Sequence, residues 1–144
     1  MNVYDSLPNP RIVFAVNEHF YELVYAHPWL SKFFAAVEQD FITSQQTDFI
    51  IGAIGGPKRF NGRGPAEAHP HMMITDELYD LRRALLEASF DAVRAPEQLR
   101  VAWLRIDEAF RGAIVKRELA ECRGRWRTDA VLDFPPDDGV RRAS

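Results

Sequence analysis

An all-α fold follows from the way apolar residues are spaced along this chain. Ile12, Val13, Val16, Phe20, Leu23 and Val24 recur at intervals of three and four, and so do Leu99, Trp103, Ile106, Phe110, Ala113 and Ile114. That spacing is the mark of helices with one buried face. No strand-length alternation of apolar and polar residues competes with it. Proline and glycine fall between the periodic stretches, at Pro28, Gly55-Gly56-Pro57, Gly64-Pro65 and Pro96, where they act as stops.

The elements can be justified in order. Tyr4 and Leu7 in the leading segment are placed to staple onto the first long helix, which the spacing predicts over 11–26 and Pro28 closes. A short turn with Trp29 and Leu30 leads into a helical run that ends at Phe33-Phe34. The next helix is predicted over 41–54, with Phe41, Ile42, Gln45, Phe49 and Ile50 near one face, and Gly55-Gly56-Pro57 stops it. The segment with Gly62, Gly64 and Pro65 is expected to be loosely structured until His69, after which Met72, Met73 and Ile74 re-enter the core. Thr75, followed by Asp76 and Glu77, has the chemistry of a helix start, and Leu78, Leu81, Leu85, Leu86 and Phe90 supply the buried face behind it. Pro96 is expected in the first turn of the last long helix, where a missing amide hydrogen costs nothing. From Glu118 onward the chain is charged and irregular, and residues 118–144 are expected to form a mobile tail on a domain spanning 1–117.

Composition narrows the function classes. At 144 residues the chain accommodates one domain with a sizeable core. Its 18 basic and 21 acidic residues give a net charge of -3, with no bias toward nucleic acid. No run of apolar residues is long enough to span a membrane, and no secretory signal precedes the first helix, so a cytoplasmic protein is expected. The single cysteine, Cys122, has no partner for an internal disulfide, and there is no Cys-x-x-Cys-His sequence to attach heme covalently. Gly55-Gly56-Pro57-Lys58 lacks the spacing and the following Ser or Thr of a phosphate loop.

The stretch from Phe33 to Ile74 carries the candidate chemistry, with an aromatic pair, a partly polar helix face, a glycine break and a histidine beside apolar residues. Taken together, Phe20-Tyr21, Phe33-Phe34, Gln46, Phe49, Gly55-Gly56-Pro57, Gly62 and His69 resemble the truncated (two-over-two) globins over roughly residues 4–116. The resemblance implies a shortened helical sandwich that encloses non-covalent heme b, with His69 as the proximal iron ligand. It implies distal stabilisation of a ligand by Tyr21 and Gln46, and Phe34 stacked against the porphyrin. Phe33, Ile42, Phe49, Ile50, Phe60, Met73 and Ile74 would complete the walls. Lys58, Arg59 and Arg63 would lie near the heme edge, where a cation can pair with a propionate.

Residue by residue, blander readings stand beside these. His69 alone is a surface histidine after a loop, Tyr21 a half-buried helix tyrosine, Gln45-Gln46 a solvated face, and the aromatics ordinary core. His69-x-His71 has the spacing of a chelating pair for zinc or nickel on an extended segment, but no third ligand accompanies it. Functionally, the resemblance implies reversible oxygen binding for transport, storage or sensing. Its alternatives are nitric oxide dioxygenase chemistry dependent on a separate reductase, sulfide binding, or peroxidase-like turnover. A heme-free helical interaction module is the competitor from another class.

Two features depart from the family pattern. Pro8-Asn9 stands where a glycine pair often precedes the first long helix. Arg82 falls where an apolar or tryptophan residue usually lines the distal cavity, and a buried guanidinium needs an anion or solvent. The stripe of Leu78, Leu81 and Leu85 excludes Arg82, which favours the solvated face for it.

Overall fold

The computed structural model describes residues 2–62, 64, 68–125 and 130–136. Six α-helices run in order among them: α1 (Val3–Ser6), α2 (Ile12–Ala26), α3 (Gln39–Ala53), α4 (Asp76–Ala92), α5 (Glu97–Ala109) and α6 (Arg111–Ile114). Two 3-10 turns, Leu30–Phe34 and Leu119–Glu121, complete the set. The fold is all-α, as the periodicity predicts. Among the described residues no helix is long and apolar enough to cross a membrane.

Helix α2 is the hinge of the packing, because it contacts both α3 and α4. Its Val13, Val16, Phe20 and Val24 are buried, and they meet Leu78, Leu86 and Phe90 of α4 and Leu99 and Trp103 of α5 in one core. Phe90 and Trp103 meet edge to face at 5.3 Å between centroids. Two polar ties cross this packing. Asn17, 2% exposed, donates to the Thr47 hydroxyl at 3.1 Å, and His19 Nδ1 lies 2.9 Å from Ser89 Oγ. Each satisfies a polar group that burial would otherwise penalise.

Local chemistry sets the helix ends. Thr75 caps α4, its hydroxyl accepting from the Leu78 amide at 3.2 Å, with Asp76 and Glu77 in the first turn. At the end of α3, Gly55 takes φ +104° and the Gly56 amide returns to the Ile51 carbonyl at 2.8 Å, a left-handed exit that a side chain would strain. Three expectations are revised. Pro96 is the cap residue before α5 rather than part of its first turn. The last helix does not run unbroken to Ile114, because the Tyr79 hydroxyl takes the Asp107 carbonyl at 2.5 Å and the chain tightens at Phe110 before α6. Tyr4 is tied to the far end of α3, its amide donating to the Ile54 carbonyl at 3.1 Å, rather than only to the first long helix.

The segment after Lys116 docks in its described parts. Leu132 pairs with Met72 in an isolated bridge, with the Met73 amide donating to the Leu132 carbonyl and the Leu132 amide to the His71 carbonyl, both at 2.8 Å. Phe134 meets Phe33 edge to face at 5.0 Å, and the Trp29 indole donates to the Phe134 carbonyl. Charge made this segment read as a tail, yet Leu132 and Phe134 find partners on the body, while Leu119 and Val131 stay exposed. Residues 126–129 and 137–144 of that expected tail lie outside the described residues.

Candidate functional site

Helix α3 has two working faces, and they meet different surroundings. Thr43, Thr47 and Ile50 are its buried positions, and Thr47 is the residue tied to Asn17 of α2. Ile42, Gln45, Gln46, Phe49 and Ile50, with Phe41 at the edge, instead line a cavity of about 510 Å³. Phe41 is 58% exposed, although its spacing reads as core.

The remaining walls come from other parts of the chain, Phe20 and Val24 of α2 among them. Phe33 and Phe34 line the cavity from the 3-10 turn, and Phe60 from the loop after α3. Phe60 packs edge to face on Phe49 at 5.3 Å, and a side chain at Gly62 would stand 2.7 Å from the Phe60 ring. Glycine at 62 therefore lets this loop close on α3. Ala68, His69, Met72 and Ile74 form another wall, and α4 and α5 contribute Leu78, Tyr79, Arg82, Trp103, Ile106 and Asp107.

His69 is the one imidazole lining the cavity among the described residues. Its carbonyl accepts from the Met72 amide at 3.1 Å and from the buried ammonium of Lys116, so the backbone at this histidine is held on both counts. Burial lowers the pKa of that lysine. His71, 4% exposed, is not part of the lining. Among the described residues, no group of three or more His, Cys, Asp and Glu converges on a metal-sized site.

Of the other residues picked out in the sequence, Phe33, Phe34, Ile42, Gln46, Phe49, Ile50, Phe60 and Ile74 are brought together around the cavity. Gln45 lines it as well as Gln46. Met73 does not; its amide serves Leu132, its sulfur lies 4.0 Å from Cys122, and Met72 takes the lining position. Lys58 and Arg59 are exposed and outside the lining, and Arg63 lies outside the described residues. Tyr21 is buried one layer back, in edge contact with Phe20 at 4.9 Å and Phe34 at 6.0 Å, both lining residues. Its hydroxyl makes no hydrogen bond to a described residue. Burial raises its pKa well above the ordinary tyrosine value, against the pull of the Arg82 charge, so it stays a protonated donor.

Arg82 overturns the expectation of a solvated face. It lines the cavity and donates through Nη1 to Asp107 Oδ2 at 3.2 Å and through Nη2 to Asp107 Oδ1. Its guanidinium also lies 4.8 Å from the Tyr79 ring centroid and 5.7 Å from that of Phe20. Burial works against its charge, but the Asp107 carboxylate and its hydrogen bonds outweigh that and raise the arginine's pKa. Asp107, 25 residues away on α5, was the missing partner. Tyr79, donating to the Asp107 carbonyl, has its own pKa pushed up to about 12, chiefly by burial.

Comparison with known proteins adds the following. A family model for bacterial-like globins matches residues 2–115. A group 1 truncated hemoglobin of Tetrahymena pyriformis is 32% identical over 78 residues, which are 54% of this chain and 64% of that protein. A group 1 truncated hemoglobin of Tetrahymena thermophila is 26% identical over 97 residues, 67% of this chain and 80% of that protein. The crystal structure of the Tetrahymena pyriformis truncated hemoglobin in its Fe(III) form superposes with a TM-score of 0.71 at 25% identity, covering 81% of this chain and all of that one.

Proposed function

The chain belongs to the bacterial-like globins, in their truncated branch, and from that premise we propose that it binds heme b non-covalently through His69 and takes oxygen as its main ligand. The observation that carries this reading is the cavity itself, a mostly apolar space of about 510 Å³ lined by a single imidazole. Its size falls in the range of cofactor pockets, and its lining has the character they share, largely hydrophobic and aromatic with a few placed polar groups.

The residues present fit the group. Phe33, Phe34, Phe49 and Ile50 offer apolar and aromatic surface to a flat ring. His69 would hold the iron through its imidazole, on a backbone steadied by Lys116. Bound heme would supply an iron atom able to take a small ligand. Gln46 presents an amide donor directly on the cavity wall, and Tyr21 holds a protonated hydroxyl behind Phe20 and Phe34. Cys122 is placed against Met73, and the chain has no Cys-x-x-Cys-His sequence for covalent attachment.

The test is optical. Purified protein supplied with hemin should develop a Soret band, His69→Ala should lose the imidazole-ligated spectrum, and His71→Ala should keep it. Absence of any Soret band in the wild-type protein sinks the heme reading. Loss of the imidazole signature in His71→Ala, with retention in His69→Ala, would move the ligand by two residues.

A further inference from the structure

We infer that Arg82 is the residue that sets how tightly this cavity holds small inorganic anions, of the azide, fluoride or nitrite kind, relative to neutral ligands. The inference rests on heme occupying the cavity. Arg82 and Asp107 form a pair whose halves are unequally covered, the guanidinium side chain being 29% exposed and the carboxylate 6%. Both line the cavity, and the cation is the half of the pair that retains more accessible surface.

The guanidinium also has donors to spare. It carries five N–H groups in a fixed fork, and Asp107 takes one from Nη1 and one from Nη2. Among the described residues its further contacts are with the Tyr79 and Phe20 rings, which hold the plane without consuming hydrogen-bond donors. Asp107 is itself tied down through its carbonyl by Tyr79, so the pair is a fixed element and not a pair of mobile surface chains.

Chemistry selects the ligand class. A small anion entering an apolar cavity loses its hydration, and without a partner that loss opposes binding strongly. A permanent cation with unclaimed N–H groups offsets it, and the apolar surroundings strengthen the attraction relative to water. A neutral diatomic such as carbon monoxide gains little from the same group. Arg82 is thus a specificity-determining residue that separates anionic from neutral ligands at one site.

The experiment compares azide and fluoride binding to the ferric heme-loaded full chain, followed at the Soret band, with carbon monoxide binding to the ferrous form. Arg82→Gln should weaken azide and fluoride about ten-fold, in line with the loss of a charge-assisted hydrogen bond, and should change carbon monoxide affinity less than two-fold. Asp107→Asn should tighten both anions. Arg83→Gln removes an equal charge from a neighbouring pair with Glu108, whose arginine does not line the cavity, and should leave both anions alone. If Arg82→Gln does not fold, the Arg82→Gln/Asp107→Asn double variant carries the test, because it removes the guanidinium without leaving a buried carboxylate unpaired, and it should bind azide about ten-fold more weakly than Asp107→Asn does. Anion affinities that stay within two-fold of wild type in Arg82→Gln, or within two-fold of Asp107→Asn in the double variant, overturn the inference. Failure to form a Soret band at all is a different result and removes the heme reading itself.

Discussion

The ammonium of Lys116 donates to the main-chain carbonyl of His69, while the Lys116 amide donates to the carbonyl of Ile74 at 2.8 Å. One residue beyond α6 therefore pins both ends of the short segment that presents His69 to the cavity. Lys116 is only 7% exposed, so its bond to the His69 carbonyl is shielded from competing water.

Lys116→Met should keep the packed stem and lose this pin. Unfolding in urea should show a loss of about 1–3 kcal/mol, the range for a buried charge-assisted hydrogen bond. Transfer of heme to a scavenging apoglobin should also become several-fold faster. Unchanged values for both would leave the Lys116 contact without a role in holding His69.

Tyr21 offers a hydroxyl that makes no hydrogen bond to the described residues, in a setting that keeps it protonated. Tyr21→Phe deletes only that oxygen. If the hydroxyl donates to the oxygen ligand, dissociation measured by stopped flow should accelerate by about ten-fold to a hundred-fold, corresponding to roughly 1.5–3 kcal/mol. Gln46→Leu should have the milder effect of a supporting donor. Rates within a factor of two of wild type in Tyr21→Phe would take Tyr21 out of the ligand's reach.

Alkaline stability should report on Tyr79. Its folded pKa of about 12 exceeds the unfolded value near 10. The unfolded chain therefore releases the phenolic proton first, and Tyr79 contributes fully below pH ~10 and progressively less as pH rises toward 12. The slope from this one group is at most about 1.4 kcal/mol per pH unit. Tyr79→Phe should be less stable than wild type at pH 8, having lost the bond to the Asp107 carbonyl, yet lose less between pH 10 and 12. Parallel stability curves for the two proteins would contradict the raised pKa.

Removal of residues 126–144 tests whether the remainder stands by itself. The deletion takes away Leu132, paired with Met72, and Phe134, set against Phe33. Loss of these half-buried contacts should cost roughly 1–3 kcal/mol, and Trp29 emission should shift to the red once its indole loses the Phe134 carbonyl. A truncated protein as stable as the full chain, with unshifted emission, would show that 1–125 is self-sufficient and the docked segment an accessory.

Local physics determined what the sequence disclosed by itself. Apolar spacing in α2, α4 and α5, the Thr75 cap and the glycine exit after α3 depend on residues within a turn or two, so their effects are visible in a linear reading. The aromatic pair, Gln46, Phe49 and His69 were legible as a constellation through family resemblance, and the fold brings them to one cavity. Tertiary structure alone decided which face of α3 meets protein and which meets the cavity, because helical spacing says that a face is covered without saying by what. It also turned Arg82 inward, since a guanidinium can enter an apolar region only where a distant residue supplies the counter-charge, and Asp107 lies 25 positions along the chain. Met72 rather than Met73 lines the wall for a related reason. In a segment without helical period, side-chain direction is set by long-range partners, here Leu132 and Lys116, and no local spacing encodes them.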